Sequence, residues 1–342
     1  MNLSILDQSP ISKGGTASHA LHQTIDLAQY AEQLGYYRYW VAEHHNTNGL
    51  AGTSPDILIG QIAAHTSTIR VGSGGVLLPQ YSPLKVAESF RTLEVFYPGR
   101  IDLGLGRSPG GGKKTRLALT DGVEKPLSSF SRQVKELHYY LYDDVPKGHD
   151  YYGVRARPET SLQPPTWILG LSDRGAKHAA VNGTGFTFGH FIDPTHGEKA
   201  IQTYRERFKA TYPFLSPQVN ACIFVVCAET EQEAEELALS QDMWLLQVEK
   251  GIDTRVPSTE EVKAYPFTEN EREKIKQNRK RCVIGTPEQV YEQLSELRHT
   301  YEINEFLVIT NIYDQEKKKH SYRLLAEVFG LKADVKKDNQ TK

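Results

Sequence analysis

The stretch Ile69-Arg70-Val71-Gly72-Ser73-Gly74-Gly75-Val76-Leu77-Leu78-Pro79-Gln80-Tyr81-Ser82-Pro83 runs from a β-rich segment straight into a helix start. Branched and apolar residues over 69–78 predict a strand. Ser82-Pro83 then places a hydroxyl at the N-cap and a proline at the first helical position, where its missing N–H is no loss. Ser54-Pro55 and Thr286-Pro287 repeat that join, and Gln289 gives Thr286 the spacing of a capping box. Outward from here the pattern predicts strands over 3–7, 37–42, 101–106, 167–171, 184–189, 219–226 and 305–310, eight with the first. Amphipathic stretches lie between them, such as the one where Leu21, Ile25, Ala28, Ala31 and Leu34 share a face before Gly35. Eight strand–helix units in 342 residues predict an α/β fold, a (β/α)8 TIM barrel with insertions. A doubly wound open sheet is the competitor.

The barrel is expected over 1–330. Residues 249–281 interrupt it: they are polar, carry Pro257 and Pro266, and end in the basic run 274–281, which reads as a solvated helix face. An insertion of that length reads as a mobile lid. Residues 331–342 read as a flexible tail. With 40 basic against 42 acidic residues the net charge is −2, so nothing suggests nucleic acid or an acidic membrane surface as partner. Mean hydropathy is −0.50, and no apolar run approaches a bilayer span. The first residues lack a basic patch followed by an apolar core, so a cytoplasmic protein without a signal peptide is expected. Cys222, Cys227 and Cys282 are odd in number and without Cys-x-x-Cys spacing, which argues against disulfides and a zinc site.

Several motifs fail. Gly104-Leu105-Gly106-Arg107-Ser108-Pro109 has proline where a dinucleotide fingerprint needs its third glycine. Gly112-Lys113 lacks both the leading glycine and the following hydroxyl of a P-loop. His19 and His22 have no companion ligand, and Glu43-His44-His45 leaves a strand with alternating directions, so no metal site is expected.

Four features survive, each at or beyond the C-terminal end of an expected strand, where barrel enzymes assemble their chemistry. Glu43-His44-His45 offers a histidine for acid–base work. Gly74-Gly75 puts adjacent glycines inside a strand, read either as a bulge or as the close approach of something flat. Arg107 offers a fork of donors for phosphate or carboxylate, or a salt bridge on the rim. Gly170-Leu171-Ser172-Asp173-Arg174-Gly175 turns a strand into a helix whose first amides form an anion site or an ordinary cap. His190 is a weaker fifth, at the end of the 184–189 strand.

At these residues the chain resembles the bacterial luciferase-like, flavin-dependent monooxygenases, from Met1 to about Phe329. The likeness runs through Glu43-His44-His45, residues 71–79, Gly99-Arg100 to Arg107, and Gly285-Thr286-Pro287-Glu288; residues 306–314 are most similar to single-chain members. The resemblance implies a barrel binding reduced FMN at its C-terminal mouth. It implies that His44 serves the oxygen chemistry and that the ring rests against a non-prolyl cis peptide at Gly74-Gly75, next to Ser73. It implies that Arg107, Ser172 and Asp173 hold the flavin phosphate, with His190 where luciferase has an aromatic neighbour of the flavin. The insertion 249–281 would be the loop that closes over the site. The implied reaction is oxygenation of a small organic substrate by O2 through a peroxyflavin, in a homodimer supplied with FMN by an NAD(P)H:flavin reductase. Gly106, Leu171 and Gly175 stand where luciferase has cysteine, glutamate and threonine, which argues against light emission and shifts phosphate contacts toward backbone amides. An F420-dependent dehydrogenase or reductase and a non-catalytic flavin-binding barrel are the other readings.

Overall fold

The computed structural model describes residues 1–333 apart from Pro109 and Tyr212. Pro109 of the rejected fingerprint and residues 334–342 of the expected tail lie outside the described residues.

Nine parallel strands form one sheet: β1 (Asn2–Asp7), β2 (Arg38–Val41), β3 (Arg70–Val76), β4 (Ile101–Leu105), β5 (Thr166–Gly170), β6 (Gly185–Phe188), β7 (Val219–Cys227), β8 (Cys282–Gly285) and β9 (Glu305–Ile309). β1 to β6 pair in chain order, β6 pairs β7, β7 pairs β9 and β9 returns to β1. Those pairings close an eight-stranded (β/α)8 barrel, and the open sheet is excluded. β8 was not expected. It has four residues and pairs only with Phe224–Cys227, where β7 runs on beyond its pairing with β6.

Period-two alternation gives every strand two faces. Tyr39, Val41, Ile101, Leu103 and Leu105 pack under the helices, while Trp40, Ala42, Trp167 and Phe224 fill the barrel. At the N-terminal ends of the strands the filling is ionic. The buried Asp102 carboxylate lies 2.8 Å from Arg38 Nη1 and 2.6 Å from Arg70 Nη2, and Arg38 Nη2 also donates to Glu305 Oε2 at 3.1 Å.

Proline is the first residue of the helices Pro55–His65, Pro83–Phe96 and Pro287–Tyr301, as expected. The hydroxyl caps are less uniform: Thr286 forms a complete capping box with Gln289, whereas Ser54 and Ser82 make no cap bond. The helix Ala17–Leu34 ends on Gly35 in the left-handed region at φ 84°. Leu331, assigned to the tail, packs against the core instead. Residues 249–281 fold largely into the helices Thr259–Ala264 and Glu269–Arg279, stacked on Glu231–Glu249. Arg279 is therefore no solvated cation: its Nη2 lies 2.7 Å from the buried Asp242. Among the described residues no helix is long and apolar enough to cross a membrane.

Candidate active site

A cavity of about 980 Å³ opens at the C-terminal mouth, lined by residues at the ends of β2 to β7. The loop after β2 supplies Glu43, His44 and His45. Alternation separates them. Glu43 is buried and accepts from the Leu77 amide at 2.9 Å and the Tyr81 hydroxyl at 2.5 Å, and its Oε1 lies 2.7 Å from His45 Nε2. His44 points elsewhere; its backbone N–H donates to Gly52 and its Nδ1 is buried without a partner. Burial, and then the charge of His45, push the His44 imidazole down to about 4. It is thus neutral at pH 7, a proton acceptor rather than the partly charged group its ordinary value would give.

Gly74 and Gly75 line the wall between β2 and β4. The β3–β4 register shifts between Ser73 and Val76, so the bulge reading of the glycines holds. A Cβ on Gly75 would lie 2.7 Å from the Gly104 carbonyl oxygen, so only glycine fits there. The Gly74–Gly75 peptide is cis. Backbone, not side chain, forms this wall.

Arg107 follows β4 and lines the cavity without a hydrogen bond or carboxylate partner among the described residues. Opposite the same space, Ser172 caps the helix Asp173–Val181 in extended conformation, its hydroxyl making no cap bond. A Cβ on Gly175 would fall 2.9 Å from Gly170 Cα, so the helix start presses directly on the end of β5. Its first amides and Arg107 form one electropositive end. The other end is apolar, with Leu50, Phe191, Cys222, Trp244 and Ile252.

Residues 1–301 match the luciferase-like monooxygenase family. The chain belongs to this family. It is 56% identical over 96% of its length to the uncharacterized protein YceB of Bacillus subtilis (strain 168), covering 99% of that protein. It is 39% identical to the N-acetyl-S-alkylcysteine monooxygenase of the same organism, covering 96% of this chain and 98% of that one. The crystal structure of apo-MsnO8 superposes with a TM-score of 0.88 at 38% identity, over 96% and 98% of the two chains. More distant structures share the fold alone. One is the oxygenating constituent of a Baeyer–Villiger monooxygenase from Pseudomonas putida in complex with FMN (17% identity, TM-score 0.70, 96% and 97% covered). Another is an F420-dependent secondary alcohol dehydrogenase (14%, 0.67, 96% and 98%). The chain is an oxidoreductase of the luciferase-like monooxygenase family.

Within this luciferase-like barrel the expected residues divide. His44, Gly74, Gly75, Arg107 and Ser172 come together on the cavity; Ser73, Asp173 and His190 do not. Ser73 faces the other side of β3, where its hydroxyl donates to the Gly104 carbonyl at 2.8 Å and accepts from its amide at 3.1 Å. Asp173 lies 3.8 Å from Lys199, and a carboxylate in the first helical turn opposes any anion there. His190 is buried, with Nδ1 2.9 Å from the Tyr301 hydroxyl, while its neighbours Gly189 and Phe191 line the cavity. Burial lowers the His190 imidazole to about 4.

The sequence reading missed Tyr81, Trp244 and His178; of the insertion 249–281 expected to close over the site, the short strap Gly251–Thr254 is the part that lines the cavity. Among the described residues no cluster of three or more His, Cys, Asp or Glu is placed to hold a metal ion.

Proposed function

We propose that this chain is the oxygenase of a two-component system, binding reduced FMN made by an NAD(P)H-dependent reductase and using O2 to oxygenate a small organic molecule. The observation that carries the reading is the lining of one cavity, in which a guanidinium without a partner among the described residues and a helix start share the space with the neutral His44 ring and a group of apolar side chains. The residues fit the cofactor. The side-chain-free wall at Gly74-Gly75 suits a flat ring, and Arg107 with Ser172 and the amides behind it suit an anionic tail.

Reduced FMN, when bound, supplies the two electrons that send one oxygen atom of O2 to the substrate and the other to water. His44, neutral and lining the cavity, accepts or returns a proton at the ring nitrogen that reaches that space, not at the buried Nδ1. Glu43, clamped by Tyr81 and Leu77, holds His45 and the end of β3 in place. Leu50, Phe191 and Trp244 take the apolar part of the substrate and exclude water. The relative named for N-acetyl-S-alkylcysteines makes such thioethers the first substrates to try. The same reading takes the chain as a cytoplasmic homodimer, which sedimentation checks.

Titration with FMN and with F420 tests the cofactor; preference for F420, or FMN bound without product-coupled O2 consumption, overturns the reading. His44→Ala is expected to lower coupled oxygenation by roughly 10²–10⁴-fold, the usual contribution of a positioned acid–base group, with FMN affinity little changed. Full oxygenation by that variant would remove His44 from the reaction.

A further inference from the structure

We propose that His178 is a third group at the anionic end of the cavity, gripping a phosphate dianion through Nε2 and taking up a proton as it does so. The inference rests on the flavin reading above. Ser172, Gly175 and His178 follow one another at intervals of three residues, and all three line the cavity from the helix Asp173–Val181 and its cap. Gly175 places no side chain between the other two, which leaves the imidazole facing the same space as Ser172. The ring is held from behind. Its Nδ1 lies 2.5 Å from Ser131 Oγ, and its edge packs on Phe130 at 5.9 Å, so Nε2 is the nitrogen available to a ligand.

The charges around this ring have one sign. Arg107 faces it from the loop after β4 and Arg174 from its own helix. From the helix Phe130–Leu141 the facing polar group is the uncharged Ser131 hydroxyl. No carboxylate is paired with His178 among the described residues. Burial first, then the two guanidiniums, hold the imidazole below its ordinary value. A phosphate dianion reverses this: it offsets both guanidinium charges and adds its own attraction, raising the imidazole. Between the lowered and the raised value, ligand and proton bind together. Affinity for a phosphorylated flavin therefore grows as pH falls through that window, and affinity for a flavin without phosphate does not.

The test measures FMN and riboflavin binding by flavin fluorescence between about pH 5.5 and pH 8, for wild type, His178→Gln and His178→Lys. Calorimetry in two buffers of different ionisation enthalpy counts protons. The phosphate's own second ionisation, near about pH 6, acts in all three proteins, so differences between them isolate the histidine. Wild type should take up a fraction of a proton more than His178→Gln on binding FMN. At pH 6 the glutamine variant should bind FMN about fivefold more weakly, the scale of a half-exposed charge pair, with riboflavin unchanged. His178→Lys should keep FMN affinity and lose the extra proton uptake. Identical FMN curves and proton counts in wild type and His178→Gln would overturn the proposal. So would an equal loss of riboflavin affinity, which would make the ring a packing group. Failure of wild type to bind FMN at all would instead remove the flavin reading itself.

Discussion

The two ends of the barrel use the same residue types in opposite states. At the N-terminal end Arg38, Arg70, Asp102 and Glu305 are packed together and every charge has a counter-charge. At the C-terminal mouth, among the described residues, Arg107 has no carboxylate partner, His178 faces two guanidiniums, and His44 has a buried Nδ1 without a partner. A paired charge has its electrostatic attraction satisfied inside the fold and acts as structure. An unpaired one in a cavity still has that attraction to offer a ligand. The contrast separates residues whose loss damages stability from those whose loss damages binding.

Breaking the closed end should have the largest effect. Asp102→Ala leaves Arg70 without a carboxylate and Arg38 with Glu305 alone, and should cost about 3–5 kcal/mol of stability by denaturant titration, the usual penalty for removing one partner of a buried ion pair. A loss below about 1 kcal/mol would mean that water reaches Arg38 and Arg70, and the distinction between the ends would blur. Burial pushes the Asp102 carboxyl up, but Arg38, Arg70 and Trp40 outweigh it, so it titrates below its ordinary value. Its stabilising contribution is therefore complete above the unfolded carboxylate range near about pH 4, and is lost as pH falls through the lowered folded value.

The mirror substitution sharpens the comparison. Arg107→Ala should leave the denaturation midpoint nearly unmoved, because no described residue is hydrogen-bonded or ion-paired to that side chain. It should weaken FMN binding by about 2 kcal/mol, roughly thirtyfold, and riboflavin binding hardly at all. Equal losses for the two flavins would place the guanidinium against the ring system instead of the tail.

The barrel was legible because β-rich segments alternate with amphipathic stretches along the chain and three helix starts carry prolines, all local signals. β8 was not, since four residues paired only with an overhang of β7 make no periodic pattern. Within the site, the residues that failed were those whose facing was not followed through. Gly72 and Gly74 point into the barrel toward Trp40 and Leu6, so Ser73 between them has to face out. The outward Phe188 likewise takes His190, two residues on, toward Tyr301. His178 was visible as the next step of a three-residue spacing from Ser172 and Gly175. Trp244 and the strap arrive from more than 190 residues beyond His44, and no local pattern in the sequence links them to it.

The strap provides the smallest effect and the finest division between structure and mouth. Asp253 accepts from Thr47 Oγ1 at 2.6 Å, the Asn48 amide at 2.8 Å and Asn48 Nδ2 at 2.7 Å, tying Gly251–Thr254 to the loop that carries His44. Three residues on, Val256 pairs through its backbone with Ile11 and Lys13, an anchor that needs no side chain. Asp253 is exposed, so Asp253→Ala should change global stability by less than about 1 kcal/mol. Amide exchange should quicken at 250–254 and stay slow at Val256. The Thr47 hydrogen bond, with those from Asn48 and Gly49, holds the Asp253 carboxyl below its ordinary value. The tie is therefore intact above the usual carboxylate range and loosens as pH falls through the lowered value, so acid should reproduce the alanine variant's exchange pattern in the wild type. Exchange at 250–254 that ignores both the substitution and the acid would assign the strap to its backbone anchor, and the carboxylate to solvent.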